Sequence, residues 1–358
     1  MTKILELTKQ LVSIPSWVDA NTNEIKIGEF IFKYLKDNTQ LSVKKEMVVN
    51  GRFNILASNS QNIETLVVGH IDTVTVTNNW KTNPIKPIIK DGKLFGRGTT
   101  DMKSGLAAMM LLASNKDLPS NIGFLFYIDE EYDFAGMIKF IADYGNKISP
   151  KNIVSLDGSE LEILNGCRGL IEINGTVTGK SCHAGTPENG VNALEITFKS
   201  VEKLKKYLAK FNDPELGTTS LNLASIRGGQ TANVVPDTCQ FILDIRPSST
   251  ALSGKLIIAK LQKYLKELNG QLSKYEIKFD FGSWLTPRSK LKNLSLPIKD
   301  IRSFGYADLQ MLWQIYKQPK CLTIGAGAQK TAHASDEYIM IDKLEKLELV
   351  LSNIINKI

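Results

Sequence analysis

The sequence predicts an α/β fold: a doubly wound, mostly parallel sheet interrupted by a smaller ferredoxin-like α+β domain. Three observations carry this. Continuous apolar runs at Thr65–Val68, Ile122–Ile128 and Ile153–Leu156 alternate with helical patterns, as expected of parallel strands covered on both faces. The middle of the chain reads β-α-β-β-α-β, the order of a ferredoxin-like unit. The last part returns to helix, strand and helix. At about 150 residues per domain, 358 residues suit two domains. The expected boundaries are 1–164 with 281–358 for the larger domain and 165–280 for the insertion.

In order along the chain, residues 3–13 read as a helix because Ile4, Leu7, Leu11 and Ile14 share one stripe. Residues 23–37 read as a second helix. The 65–68 strand ends at Gly69-His70-Ile71-Asp72. Leu94–Phe95 leads through Gly96–Asp101 into a helix over Met102–Ala113. The 122–128 strand ends at Asp129-Glu130-Glu131, and the 153–156 strand at Asp157-Gly158. Within the insertion, strands are expected at Gly169–Gly179, Thr219–Ile226, Val234–Ile245 and Tyr275–Phe281, with helices at 190–210 and 251–268. A helix at 306–317, a strand at Cys321–Ile324, a glycine-rich loop and a helix at 342–356 complete the chain.

With 42% hydrophobic and 23% charged residues, disordered, collagen-like and coiled-coil classes are excluded. Cys167, Cys182, Cys239 and Cys321 form no CxxC pair, which disfavours a disulfide framework and a structural zinc finger. The first helix carries internal Lys and Glu and lacks the apolar core of a signal peptide. The longest apolar run, Leu106–Ala113, is far short of the roughly 20 residues of a membrane span. A cytoplasmic protein is expected, with no membrane partner. The formal charge is +7, but Lys203, Lys205, Lys206 and Lys210 lie spread along a helix without interleaved aromatics. They read as a solvated face, and no nucleic-acid partner is expected.

Ligands of open α/β sheets bind beyond the carboxyl ends of the strands. His70, Asp72, Asp101, Glu130, Glu131, Asp157 and His333 all follow predicted strands. Each has an ordinary explanation. A lone His is most often a hydrogen-bonded loop residue, Asp101 can cap the helix behind it, Glu130-Glu131 can be a solvated turn, and Asp157-Gly158 is a common turn pair. Their recurrence at equivalent strand ends favours a metal site, for imidazoles and carboxylates together are a ligand set for zinc or a similar divalent ion. The GRGTTDMKSG stretch lacks the endings of phosphate-binding loops.

The chain resembles the M20 metallopeptidases, which include acetylornithine deacetylases, succinyl-diaminopimelate desuccinylases, glutamate carboxypeptidases and dipeptidases. The matching stretches are GHIDTV (69–74), GRGTTDMKSG (96–105), DEE (129–131), CHAG (182–185), GVNAL (190–194), ANVVPDTCQFILDIRP (232–247) and AHASDEY (332–338). The resemblance implies a catalytic domain with two divalent ions, zinc foremost and cobalt or manganese as alternatives. It also implies that the inserted domain is a lid that dimerises, making the protein a homodimer. Asp101 would bridge the ions, with His70 and Asp157 on one and Glu131 and His333 on the other. Asp72 would orient His70, Glu130 would be the general base, and a cis peptide would follow Asp101. His183 would reach the partner subunit's active site as oxyanion donor. The chain departs from the deacetylase and desuccinylase branches, which carry Glu-Pro-Thr where Asp157-Gly158-Ser159 stands. Asp at that place resembles the di- and tripeptidases; Glu160 and Glu162 are nearby alternative ligands.

Asn233 and Arg246 are candidate substrate-binding residues: Arg246 suits a bidentate carboxylate, or else a surface ion pair. Asp308 is expected to shape the pocket or cap a helix, and Gly325 and Gly327 to let the backbone approach substrate. The expected activity is metal-dependent hydrolysis of the amide bond of an N-acyl amino acid or short peptide bearing a free carboxylate. The alternatives are a peptidase of the dipeptidase or carboxypeptidase branch and, more remotely, a non-catalytic binding protein on the same fold.

Overall fold

A computed structural model describes residues 2–302 and 309–358. The chain divides into unit 1 (Met1–Asn165, Thr286–Lys299 and Met311–Ile358) and unit 2 (Gly166–Leu285 and Asp300–Gln310).

The chain opens with α1 (Lys3–Val12) and α2 (Ile25–Asn38). Their apolar stripes are buried, through Ile4, Leu7 and Leu11 in α1 and Ile27, Ile31 and Leu35 in α2. A hairpin follows, β1 (Ser42–Val49) and β2 (Arg52–Ser58). Asn50 and Gly51 turn it with φ of 48° and 79°, the type I′ geometry that Asn-Gly favours. Next come β3 (Thr65–His70), β4 (Ile88–Lys90), β5 (Lys93–Phe95), α3 (Lys103–Ala113), β6 (Ile122–Tyr127), α4 (Ala135–Tyr144) and β7 (Asn152–Ser155).

Unit 2 holds β8 (Gly166–Cys167), β9 (Leu170–Thr178), α5 (Ala193–Leu208), β10 (Asn212–Asp213), β11 (Gly217–Thr218), β12 (Ser220–Gly228), β13 (Thr238–Arg246), α6 (Gly254–Lys266), β14 (Gln271–Phe281) and β15 (Trp284–Leu285). The chain closes with α7 (Leu309–Ile315), β16 (Lys320–Thr323), β17 (Tyr338–Met340) and α8 (Ile341–Ile355).

The main sheet of unit 1 has the order β1-β2-β6-β3-β7-β16. β6, β3, β7 and β16 run parallel, and the β1–β2 hairpin adds antiparallel to β6. The chain leaves β3 for β6 on one side and later returns to β7 on the other. That reversal opens a crevice at the carboxyl ends of β6, β3 and β7. The parallel strands are buried on both faces, β6 throughout, as their continuous apolar sequences require. Helix α3 is buried at nearly every position.

In unit 2 the antiparallel order β12-β13-β9-β14, with α5 and α6 packed against it, is the expected ferredoxin-like arrangement. On β13, Cys239, Phe241, Leu243 and Ile245 are buried while Gln240 and Ile242 are exposed, so one sheet face meets the helices and the other stays open.

The sequence reading overlooked the β1–β2 hairpin and α4. It also began β13 at Val234, whereas the strand starts at Thr238. Residues 233–235 pair instead with the 182–184 segment: Ala184 N donates to Asn233 O at 2.9 Å and Val235 N to Cys182 O at 2.9 Å. Pro236 carries no N–H to continue a ladder. Of the expected 306–317 helix, 306–308 lie outside the described residues, as does Asp308. No described helix is long and apolar enough to cross a membrane.

Candidate metal centre

His70 is the last residue of β3 and its ring is buried. The loop from β5 to α3 delivers Asp101 to the same place. Helix α3 has Met102 at its N-cap with no side-chain cap hydrogen bond, so the Asp101 carboxylate is not used for capping. The Asp101–Met102 peptide is cis. Asp101 Oδ1 lies 3.0 Å from His70 Nε2, and Asp101 Oδ2 lies 3.2 Å from His333 Nε2. His333 Nε2 is in turn 3.0 Å from Glu131 Oε1. One ligand atom each from His70, Asp101 and Glu131 all fall within 4.8 Å of one another. Two imidazole nitrogens and carboxylate oxygens, converging at the sheet crevice, fit divalent-ion chemistry.

Asp72 connects both sides of this group. Its Oδ2 accepts from Glu131 N at 2.9 Å. His70 Nδ1 lies 3.2 Å from the Asp72 carbonyl oxygen and 3.4 Å from its Oδ1. The hydrogen bond that orients the ring is thus to the Asp72 carbonyl, not to the carboxylate as expected, and the carboxylate adds only a charge contact.

The electrostatics follow from the packing. Burial opposes charge on His70, but the Asp101, Asp72 and Glu130 carboxylates outweigh it and hold its pKa well above the usual imidazole value. His333 is pushed up to about 10 by its hydrogen bonds to Asp101 and Glu131. Burial raises the Asp101 pKa, yet its hydrogen bonds to His333 and His70 prevail, and it stays well below the usual carboxylate range. The Asp101, Asp72, Glu130 and Glu131 carboxylates thus face the two imidazoles and attract cations.

Glu130 sits on the turn after β6, where Asp129 adopts φ of 72°. That turn is held by a pairing the sequence did not reveal. Arg52, on β2, is paired with Asp129, and its Nε donates to Glu24 Oε2 at 2.7 Å. All three side chains are largely buried. Asp129 Oδ2 also accepts from Ala135 N at 3.2 Å.

Asp157 follows β7 and is half-buried; its N–H donates to Ser155 Oγ at 3.3 Å. Glu160 pairs with Lys343, and Glu162 lies 3.4 Å from Lys299 Nζ. These pairs occupy the two alternative carboxylates. Gly325 and Gly327 serve chain packing: a Cβ on Gly325 would lie 2.2 Å from Gly158 O, and one on Gly327 2.7 Å from Thr100 Cγ2.

Glu337 was also overlooked, although it lies in the AHASDEY stretch. It is fully buried and receives hydrogen bonds from the loop that carries Asp101. Only its closeness to His333 in sequence marked it.

In unit 2, His183 is exposed, and its Nδ1 accepts from Gly185 N at 3.0 Å. A neutral ring so bonded carries its proton on Nε2, which leaves Nε2 a donor. His183 forms a bridge with Val234, so Asn233 lies beside it. Arg246 Nε and Nη2 donate to Asp244 Oδ1 and Oδ2 at 2.7 and 2.8 Å. The surface ion pair is thus the arrangement observed for Arg246, and a substrate carboxylate would have to share that guanidinium with Asp244.

Residues 66–357 match the model of peptidase family M20/M25/M40. An acetylornithine deacetylase of Buchnera aphidicola subsp. Schizaphis graminum is 26% identical, over 98% of this chain and 97% of its own. The crystal structure of aminopeptidase PepT from Bacillus cereus ATCC 10987 superposes with a TM-score of 0.78 at 22% identity, covering 99% of this chain and 98% of its own. Bacillus subtilis YXEP protein, described as a dinuclear metal binding peptidase from the M20 family, superposes with a TM-score of 0.70 at 14% identity, covering 98% and 96%. These two likenesses establish the fold.

Proposed function

This chain belongs to peptidase family M20/M25/M40, a premise from which we propose that it is a two-metal amide hydrolase acting on N-acyl amino acids or short peptides with a free carboxylate. The observation that carries the proposal is the double-sided Asp101 carboxylate, one oxygen toward His70 and the other toward His333. Such a carboxylate is suited to bridging two divalent ions, with His70 and Asp157 on one and Glu131 and His333 on the other. Zinc is the leading ion, with cobalt or manganese as alternatives. When bound, the ions supply Lewis acidity and an activated water.

The chain's own residues do the rest. Glu130 takes a proton from the attacking water and delivers it to the leaving amine nitrogen. Asp72 holds His70 and the Glu131 backbone in register. The Nε2–H tautomer that Gly185 imposes on His183 suits an oxyanion donor. In a cytoplasmic homodimer, which belongs to the same proposal, the partner's His183 would serve each site. Exposed Ile242 and Tyr275 on unit 2 support an association surface there. Asn233, beside His183, and Arg246 are the proposed substrate contacts.

Asp157, where the deacetylase branch carries Glu, favours peptides over acyl amino acids. The test is a panel of dipeptides, tripeptides, N-acetyl and N-succinyl amino acids, assayed after chelation and after adding back zinc, cobalt or manganese. Metal-restored hydrolysis of peptides is the expected result. Full activity of the chelated protein would overturn the metal assignment, and activity confined to N-succinyl or N-acetyl substrates would overturn the peptidase preference.

A further inference from the structure

Glu337 lies on the segment that carries His333, and among the described residues the hydrogen bonds that its carboxylate accepts all come from the loop that carries Asp101. Its Oε1 accepts from Thr100 N at 2.8 Å and from Asp101 N at 3.1 Å. Its Oε2 accepts from Gly98 N at 3.0 Å and from Arg97 Nη1 at 2.8 Å. Its own carbonyl accepts from Gly96 N at 3.0 Å. The side chain is 1% exposed.

A buried carboxylate whose only task was to neutralise Arg97 would need no donor beyond that guanidinium, which Glu337 does engage. Here three of the four donors are backbone amides of the loop, those of Gly98, Thr100 and Asp101 itself. Fixing the Thr100 and Asp101 amides, which flank the Thr100 Cα, fixes the peptide plane from which the Asp101 Cα and its side chain depart. Gly98 completes the loop with φ of +87°, a conformation that glycine tolerates best. Glu337 follows His333 by four residues and precedes β17, which pairs with β5 at the start of the same loop. One carboxylate therefore locks the two sides of the site to each other.

We propose that Glu337 is a positioning residue that aims the Asp101 carboxylate at both metal sites by holding the Gly98, Thr100 and Asp101 amides. The proposal rests on the metal reading above. Loss of an outer-shell partner of this kind typically costs about 10- to 100-fold in metal affinity or activity.

The test compares wild type with Glu337→Gln and Glu337→Asp. Zinc affinity is read by competition with a chromophoric chelator, and exchange of the Gly98, Thr100 and Asp101 amide protons by hydrogen–deuterium exchange on the zinc-loaded and chelated proteins. Glu337→Gln keeps the shape but offers one acceptor oxygen, so zinc affinity falls about 10- to 100-fold and the loop amides exchange faster, with kcat reduced more than KM is raised. Glu337→Asp keeps the charge and restores part of the affinity. Wild-type affinity and loop exchange in folded Glu337→Gln overturn the proposal, as does a loss of global stability with zinc affinity unchanged. If Glu337→Gln does not fold, wild type decides: slow exchange at Thr100 and Asp101 in chelated protein is expected, and fast exchange there refutes the proposal. Wild type that binds no metal refutes the metal reading instead, while the amide-exchange result still stands or falls separately.

Discussion

His70 Nε2 and Asp101 Oδ1 lie 3.0 Å apart, a contact made by the end of a parallel strand and the entry to a helix 31 residues later. The second Asp101 oxygen faces His333. Asp101→Asn preserves the shape but replaces one anionic oxygen with an amide that cannot bridge two ions. We expect zinc content after dialysis to fall below that of wild type and turnover to be lost. Full metal occupancy, measured by elemental analysis, would remove Asp101 from the bridging role.

Glu130→Gln retains the size of the side chain but cannot accept the water's proton. The expected loss in kcat is about 10²- to 10⁴-fold, the usual contribution of general acid–base catalysis. Metal content should stay near normal, because Glu130 is not among the proposed ligands. A variant with wild-type turnover would transfer the base role to another residue.

Arg52 holds the buried carboxylates Glu24 and Asp129. Arg52→Met leaves both without their cation, and removing one partner of a buried ion pair typically costs about 3–5 kcal/mol. Urea denaturation should show that loss. A cost within measurement error would mean that water or another cation replaces the guanidinium.

Tyr144 on α4 donates to Glu46 Oε1 on β1 at 2.6 Å. Burial and then the Glu46 hydrogen bond raise its pKa above the ordinary phenol value of 10. A group whose pKa is raised on folding stabilises fully below its unfolded pKa, and that stabilisation is lost as pH rises through the folded value. Tyr144→Phe should therefore cost about 1 kcal/mol at pH 8, in the range for a partly exposed hydrogen bond to a charge. The deficit should shrink as pH rises above 10. Equal deficits at pH 8 and 11, measured by urea unfolding, would contradict this.

The parts legible in sequence were those encoded locally. The apolar runs of β3, β6 and β7 sit where they were expected, and the order of unit 2 elements follows its alternation and helix periodicity. The Asn50-Gly51 hairpin was equally legible, being a strong two-residue turn signal between β-rich segments, but it was overlooked. The β13 start was misjudged because residues 233–235 are strand-like in composition, while their hydrogen bonds go to the 182–184 segment.

Strand-end position grouped His70, Asp72, Asp101, Glu130, Glu131, Asp157 and His333 as one candidate set, and the resemblance to the M20 metallopeptidases implied which of them are ligands. What tertiary structure decided was pairing across long separations: Arg52 with Asp129, 77 residues apart, and Glu337 with Asp101, 236 residues apart. It also kept Asp101 away from helix capping. A sequence reveals which face of an element is apolar, because that follows from a repeat of two or 3.6 residues. It does not reveal which buried donor meets which buried acceptor, because that choice is made by the packing of elements distant in the chain and by the requirement that buried polar groups be satisfied.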